Sequence, residues 1–227
     1  MTNPAPERNP IWNRNDWLLL AFNAALFLIL FAIFNRRLPE TIGSHYNLAG
    51  EQDGTMPRWG FWLMDAALTV ALPVLFKAFR LADPRKANYE AFNGYFELIR
   101  WALSLFLHGV MLMVIFTNLD YHFPMINVLT GGIGVLMAVM GNRLGQVRSN
   151  FFIGIRTPWT LMDDDNWKKT HRFGARLWVA AGIVMFVACW FVNAPWAAAV
   201  LLTCTIVGAI VPVVYSYLQF TRMSRGA

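Results

Sequence analysis

Two imidazoles and two carboxylates expected on the outer face, His45, Asp53, Asp120 and His122, could converge on a hard or borderline cation. No HExxH or comparable spacing puts two of them on one helical turn, so loop histidines are the simpler reading and a membrane metalloenzyme is the alternative. Cys189 and Cys204 lack CxxC spacing and lie in apolar sequence, where a thiol behaves as a small hydrophobe. A different chemistry attaches to Asp65 and His108, each set inside a long apolar run. Ionisable groups at such positions mark function by default and need a partner, so the two are expected to face each other across neighbouring helices, at least as an interhelical hydrogen bond. The polar groups are too few to predict a proton or ion path, which leaves a transporter or export accessory as a further alternative. No catalytic residue, cofactor or metal is assigned.

The longest polar interruption, residues 141–174, is too aromatic for a linker. It carries Phe151, Phe152, Trp159, Trp167 and Phe173 beside six Lys or Arg and the carboxylates Asp163, Asp164 and Asp165. The carboxylates complement the start of a helix that continues through Arg176 into the next apolar run. On it Asp164/Lys168 and Asp165/Lys169 stand at i,i+4, while Trp167, Thr170, His171 and Gly174 share a face. Asn150, Arg156, Trp159, Trp167, His171 and Arg172 are expected to form a fixed constellation for partner docking or structure, in which Arg156→Lys would be nearly as damaging as Arg156→Ala.

These residues are positioned by a membrane protein. Hydrophobic residues make up 57% of the chain and charged residues 14%. Runs at 17–34, 59–79, 98–118, 125–141, 177–193 and 196–218 are long enough to cross a bilayer core of about 30 Å. The first run is followed by Asn35-Arg36-Arg37 rather than a small-residue cleavage site, so it reads as a helix and not a leader. Of nineteen Lys and Arg, sixteen fall on one side of this arrangement and only Arg36, Arg37 and Arg58 on the other. The positive-inside rule makes the richer side cytoplasmic. The +6 net charge therefore reports topology and contact with membrane lipid rather than nucleic acid. Lys77 lies near enough to an end to snorkel, Pro73 and Pro212 permit kinks, and Gly131, Gly132 and Gly134 permit close helix approach. The expected fold is all-α: six transmembrane helices in three hairpins, both termini inside. It forms one integral membrane domain over 1–227, with halves 17–118 and 125–218, an outer loop 38–58 and a cytoplasmic loop 141–176. The outer loop alternates apolar and polar residues from Ile42 to Leu48 and breaks at Gly50 and Asp53-Gly54, as an extended segment with a free edge would. Such an edge can accept a peptide strand, and His45, Asn47 and Asp53 are its candidate binding residues.

Gly141-Asn142, Arg148, Asn150, the run Gly154 to Leu161 (G-I-R-T-P-W-T-L), Trp167, Thr170-His171-Arg172 and Gly174 together resemble the signature of the SdpI family of bacterial multi-spanning membrane proteins. Leu38-Pro39, His45, Asn47, Gly50 and Asp53-Gly54 resemble a small domain of unknown function often found at the front of the same proteins; this chain has Ile42-Gly43 where that domain often has Ile-Pro. The resemblance implies a non-enzymatic protein of the bacterial inner membrane. It would protect the cell against a secreted toxic peptide met outside and pass a signal to a transcriptional regulator inside.

Overall fold

The computed structural model describes residues 12–47 and 50–225, so Arg8 of the charge count and Leu48 and Ala49 of the outer loop lie outside the described residues. Helix α1 (Arg14–Phe34) starts on a reciprocal cap, in which Asn13 Oδ1 accepts from the Asp16 amide and Asp16 Oδ2 from the Asn13 amide. A hairpin of β1 (Thr41–Tyr46) and β2 (Gln52–Pro57) follows, antiparallel and with its register disturbed around His45. The extended segment of the outer loop thus has a partner strand from the same loop, a feature absent from the all-helical expectation.

The second span runs Arg58–Ala82 as three pieces: α2 (Arg58–Asp65), a π-helical stretch (Ala66–Ala71) and α3 (Leu72–Ala82). Pro73 stands at the start of α3, where its missing N–H costs least, and the wider π turn precedes it. A 3-10 stretch (Lys86–Phe92) leads into α4 (Asn93–Thr117). After a short turn come α5 (Met125–Leu144), a loop, α6 (Pro158–Met162), α7 (Asp164–Phe191) and α8 (Ala194–Arg225), which passes through Pro212 as one helix. Among the described residues, six helices are long and apolar enough to cross a membrane. Their outward faces carry exposed Leu28, Leu63, Val135 and Ile183, and Trp59, Trp190 and Trp196 stand exposed near span ends, the interfacial placement of tryptophan.

Two apolar cores cap the bundle. At the hairpin end Ile42, fully buried, packs with Leu30, Leu38, Phe61, Trp62 and Ile115. At the basic end Tyr89, Phe92, Tyr95 and Phe96 pack with Leu144, Val147 and Trp167, joining the first four helices to the last four. Between these ends α4 and α5 border an open apolar groove of about 560 Å³, with Gly132 in its wall. The tightest helix contact lies elsewhere, between α5 and α7. A Cβ on Gly134 would stand 2.7 Å from the Gly182 carbonyl, and one on Gly182 would stand 2.4 Å from the Gly134 carbonyl. Gly131 likewise lies against Cys189 and Gly141 against Trp178, so of the four α5 glycines three serve close approach to α7 and Gly132 faces only the Phe106 ring.

Candidate functional site

Asn150 is the centre of the 141–174 segment. Its side chain is fully buried and donates through Nδ2 to the carbonyls of Arg148 and Ile153, both at 2.9 Å. Its Oδ1 accepts from the amides of Phe152 (3.0 Å) and Ile153 (2.6 Å) and lies 3.3 Å from the Tyr89 hydroxyl, whose one proton it shares with Asp83. One amide side chain thus holds a tight loop in the chain reversal that precedes Gly154, whose φ of 111° is open to glycine and strained for other residues.

That loop rests on the first turns of α7. Asp163 caps the helix by accepting from the amides of Asp165 (2.7 Å) and Asn166 (2.8 Å). The ion pair on its surface is Asp165–Lys168 at 3.6 Å, an i,i+3 contact, in place of the i,i+4 pairs read from the sequence. Trp167, Thr170, His171 and Gly174 share the buried face, as their spacing predicted. Trp167 donates from Nε1 to the Val147 carbonyl at 2.8 Å and stacks on His171 with centroids 4.1 Å apart. His171 Nδ1 bonds the Trp167 carbonyl (2.8 Å) and its Nε2 accepts from the Ile155 amide (2.9 Å). One partner accepts and the other donates, so the ring is a neutral imidazole in a single tautomer. Trp159 donates to Ser216 Oγ on α8 at 2.5 Å, and Asn166 donates to the Ser216 carbonyl at 2.9 Å. Asn150, Trp159, Trp167 and His171 therefore form one knot. Arg156 and Arg172 are exposed at its rim; Arg156 makes one bond, from NH1 to the Phe151 carbonyl at 2.6 Å.

The knot also has a partner within the chain that sequence reasoning missed. Asp83, buried in the turn after α3, accepts at Oδ2 from the Phe151 amide (2.9 Å) and the Tyr89 hydroxyl (3.0 Å), and at Oδ1 from the Arg85 amide (2.7 Å). Arg85 reaches the Ser149 hydroxyl and the Leu161 carbonyl, and Asn88 donates to the Ser149 carbonyl at 2.7 Å. The only local signal was Asp83-Pro84, a turn-starting dipeptide.

At the other end, Gly43 exchanges two hydrogen bonds with the Asn118 side chain: its amide donates to Oδ1 at 2.7 Å and its carbonyl accepts from Nδ2 at 2.9 Å. Asn118 thereby acts as a third strand for β1. His45 Nδ1 and Asp53 Oδ1 stand 2.5 Å apart across the hairpin, both solvent-exposed, and Asn47 pairs with Glu51 across the loop at 3.0 Å. The Tyr46 hydroxyl, half-buried against Gly43, has its ionisation pushed above the ordinary phenol range by burial.

Residues 146–216 match the SdpI/YfhL protein family. Residues 22–69 match a domain of unknown function (DUF1648), which covers the hairpin. The resemblance read from the motif holds, and the chain is a multi-pass membrane protein. It is 23% identical over 122 residues to "Immunity protein SdpI" of Bacillus subtilis (strain 168), a stretch covering 54% of this chain and 58% of that relative. No solved structure matches the chain. The SdpI segment starts just before Val147 and ends at Ser216, the two points to which Trp167 and Trp159 are tied.

The remaining candidates fall elsewhere. Asp65 and His108 are not hydrogen-bonded to each other: His108 Nε2 contacts Asn23 Oδ1 at 3.2 Å, and both Asp65 oxygens take no bond from any described residue. Asn23 lies on the facing helix α1 and competes for the ring. Lys77 does not snorkel; it is buried and bonds Asp16 Oδ2 at 2.8 Å, beside Arg100 on Asp16 Oδ1 at 2.6 Å. A buried carboxylate offers a lysine more than interfacial water does when the cation is already dehydrated by the bundle. His45 and Asp53 come together without Asp120 or His122, and no group of three or more metal-ligating side chains exists among the described residues.

Proposed function

We propose that this SdpI-type protein is a membrane immunity protein, protecting the cell against a secreted peptide that it meets at the β-hairpin. The observation that carries the reading is the division of labour between the two matched segments. The SdpI segment is turned inward, its Asn150, Trp167 and His171 consumed by internal bonds. The hairpin presents the paired His45 and Asp53 to solvent, with Asn47 half-buried and bonded to Glu51 beside them, from a rigid base fixed by Ile42 and Asn118. The name of the relative, "Immunity protein SdpI", agrees with this role. A paired imidazole and carboxylate on a short exposed hairpin offer charge and main-chain edges to an extended peptide.

On this reading a cytoplasmic regulator docks on Arg156, Lys168, Lys169 and Arg172 at the rim of the knot, since all four are exposed. The test is survival of sensitive bacteria expressing the chain when challenged with the peptide from a producer strain. His45→Ala with Asp53→Ala is expected to abolish protection while membrane abundance stays unchanged, because exposed loop residues seldom control stability. Protection that survives removal of residues 43–54 would move recognition into the helices.

A further inference from the structure

The first four helices contain a buried polar file that the immunity reading does not use. On the second span Asp65, Thr69 and Lys77 lie at multiples of four residues, with the Pro73 carbonyl on the same row. On α4 Arg100, Ser104 and His108 repeat the step of four, and Glu97 precedes them by one turn. Helix α1 adds Asp16 and Asn23. All of these side chains are buried, so the three stripes face one another inside the α1–α4 bundle.

The file has a neutralised end and an unsatisfied end. At the basic end Asp16 holds Lys77 and Arg100, and Arg100 holds Glu97 at 3.1 Å, so two cations meet two carboxylates. Arg100 Nε donates to the Pro73 carbonyl at 3.3 Å, fixing α4 against α3. Eight residues outward from this contact, about 12 Å at helical rise, stand His108 on one helix and Asp65 on the other. The π-helical stretch that begins beside Asp65 packs against both α1 and α4. His108 Nε2 faces the oxygen of Asn23, whose Nδ2 donates to Ser104 Oγ at 3.2 Å, so Nε2 carries the ring proton and Nδ1 is an acceptor. That Nδ1 and both Asp65 oxygens receive no hydrogen bond from any described residue. Beyond them Phe61, Trp62 and Ile115 close the file beneath the hairpin.

An ionised Asp65 sets two acceptor-only oxygens in the same site as a His108 Nδ1 that also lacks a donor, and an unpaired charge buried in a membrane span is costly. The other ionisable side chains buried in the file are Asp16 on α1, Lys77 on α3, and Glu97 and Arg100 on α4, and all four are engaged at the basic end; Arg14, Arg58 and Arg80 stand at helix ends, and Tyr95 on α4 lies in the aromatic core of the basic end. One proton supplies what is missing: it turns Asp65 into a donor toward the His108 acceptor, directly or through one water. We propose that Asp65 and His108 form an intramembrane proton-binding site, loaded along the polar file from the basic end and closed on the hairpin side. Loading moves one proton from a hydronium ion at the basic end to the Asp65 carboxylate: an O–H bond of the hydronium breaks, leaving water, and a carboxyl O–H bond forms.

The test is infrared difference spectroscopy of the full-length protein in uniformly oriented liposomes during pH steps on either side. The expected result is a protonated-carboxyl stretch that rises and falls with pH, is lost in Asp65→Asn and changes frequency in Asp65→Glu. His108→Gln, which puts an amide able to donate to the carboxylate in place of the acceptor-only Nδ1, is expected to shift its midpoint by about tenfold or more in proton concentration. A step on the basic-end side should load the site faster than one on the hairpin side. The Glu variant keeps the test open if Asp65→Asn does not fold. A spectrum with no Asp65-dependent band, a band that persists at every pH, a midpoint unmoved in His108→Gln, or equal rates from both sides would each overturn the proposal.

Discussion

At the scale of single residues, the 141–174 segment is a problem of satisfied polar groups. Asn150 makes five hydrogen bonds from a fully buried position. Its replacement by alanine strands backbone donors and acceptors at about 1–3 kcal/mol for each buried group left unmade, so Asn150→Ala is expected to cost several kcal/mol. Thermal melting in detergent measures this, and Tyr89→Phe, which removes one shared hydroxyl, should cost about 1 kcal/mol. Arg156 comes out differently from its reading in the sequence. Its exposed guanidinium makes one bond to one carbonyl, so the planar fork is not used and Arg156→Lys should change stability by no more than about 0.5 kcal/mol. The types of these residues were legible as a mixture too ordered for a linker. Their partners were not, because Tyr89 and Asp83 lie 61 and 68 residues from the groups they bind and no local pattern records such a pairing.

At the scale of elements, hydropathy is a local property, and so all six spans were readable; so was the run of α7 from the Asp163–Asp165 carboxylates into the bilayer. Strand pairing is not local in the same way. Residues 41–46 showed alternation, but 52–57 (Gln-Asp-Gly-Thr-Met-Pro) show none, and the hairpin exists because Asn118 and the Ile42 pocket hold one strand in place. Helix contact is partly readable: glycines near the middle of α5 pointed to close approach, but not to the α7 partner. Gly182→Ala would press a methyl group into the Gly134 carbonyl and the Ala138 amide, and overpacking of this kind costs about 1–3 kcal/mol. The variant should melt earlier by that amount, and Gly132→Ala, against a movable Phe106 ring, by less.

For the whole molecule, the sixteen-to-three division of cations predicts that reporters fused after Gly54 and after Asp165 lie on opposite sides of the membrane. Equal sidedness would contradict the N-in, C-in arrangement. The two halves meet through α4 and α5 in the bilayer and through Asp83, Arg85 and Asn88 at the basic end. With a protease site placed in the turn at residues 119–124, the cut halves should stay together on a sizing column. Asp83→Ala, which removes three bonds across or beside the seam, should let them separate. The Asn118–Gly43 pair has a mechanical consequence. α4 is one unbroken rod from the 3-10 turn carrying Tyr89 to the hairpin, and Asn118 clamps its far tip to β1. A load applied at His45 or Asp53 is therefore borne by the rod rather than absorbed by a slack loop, and it arrives beside the Asp16–Arg100 cluster and the Asn150 knot. Cutting that clamp with Asn118→Ala should leave the hairpin able to grip its ligand but unable to transmit the pull.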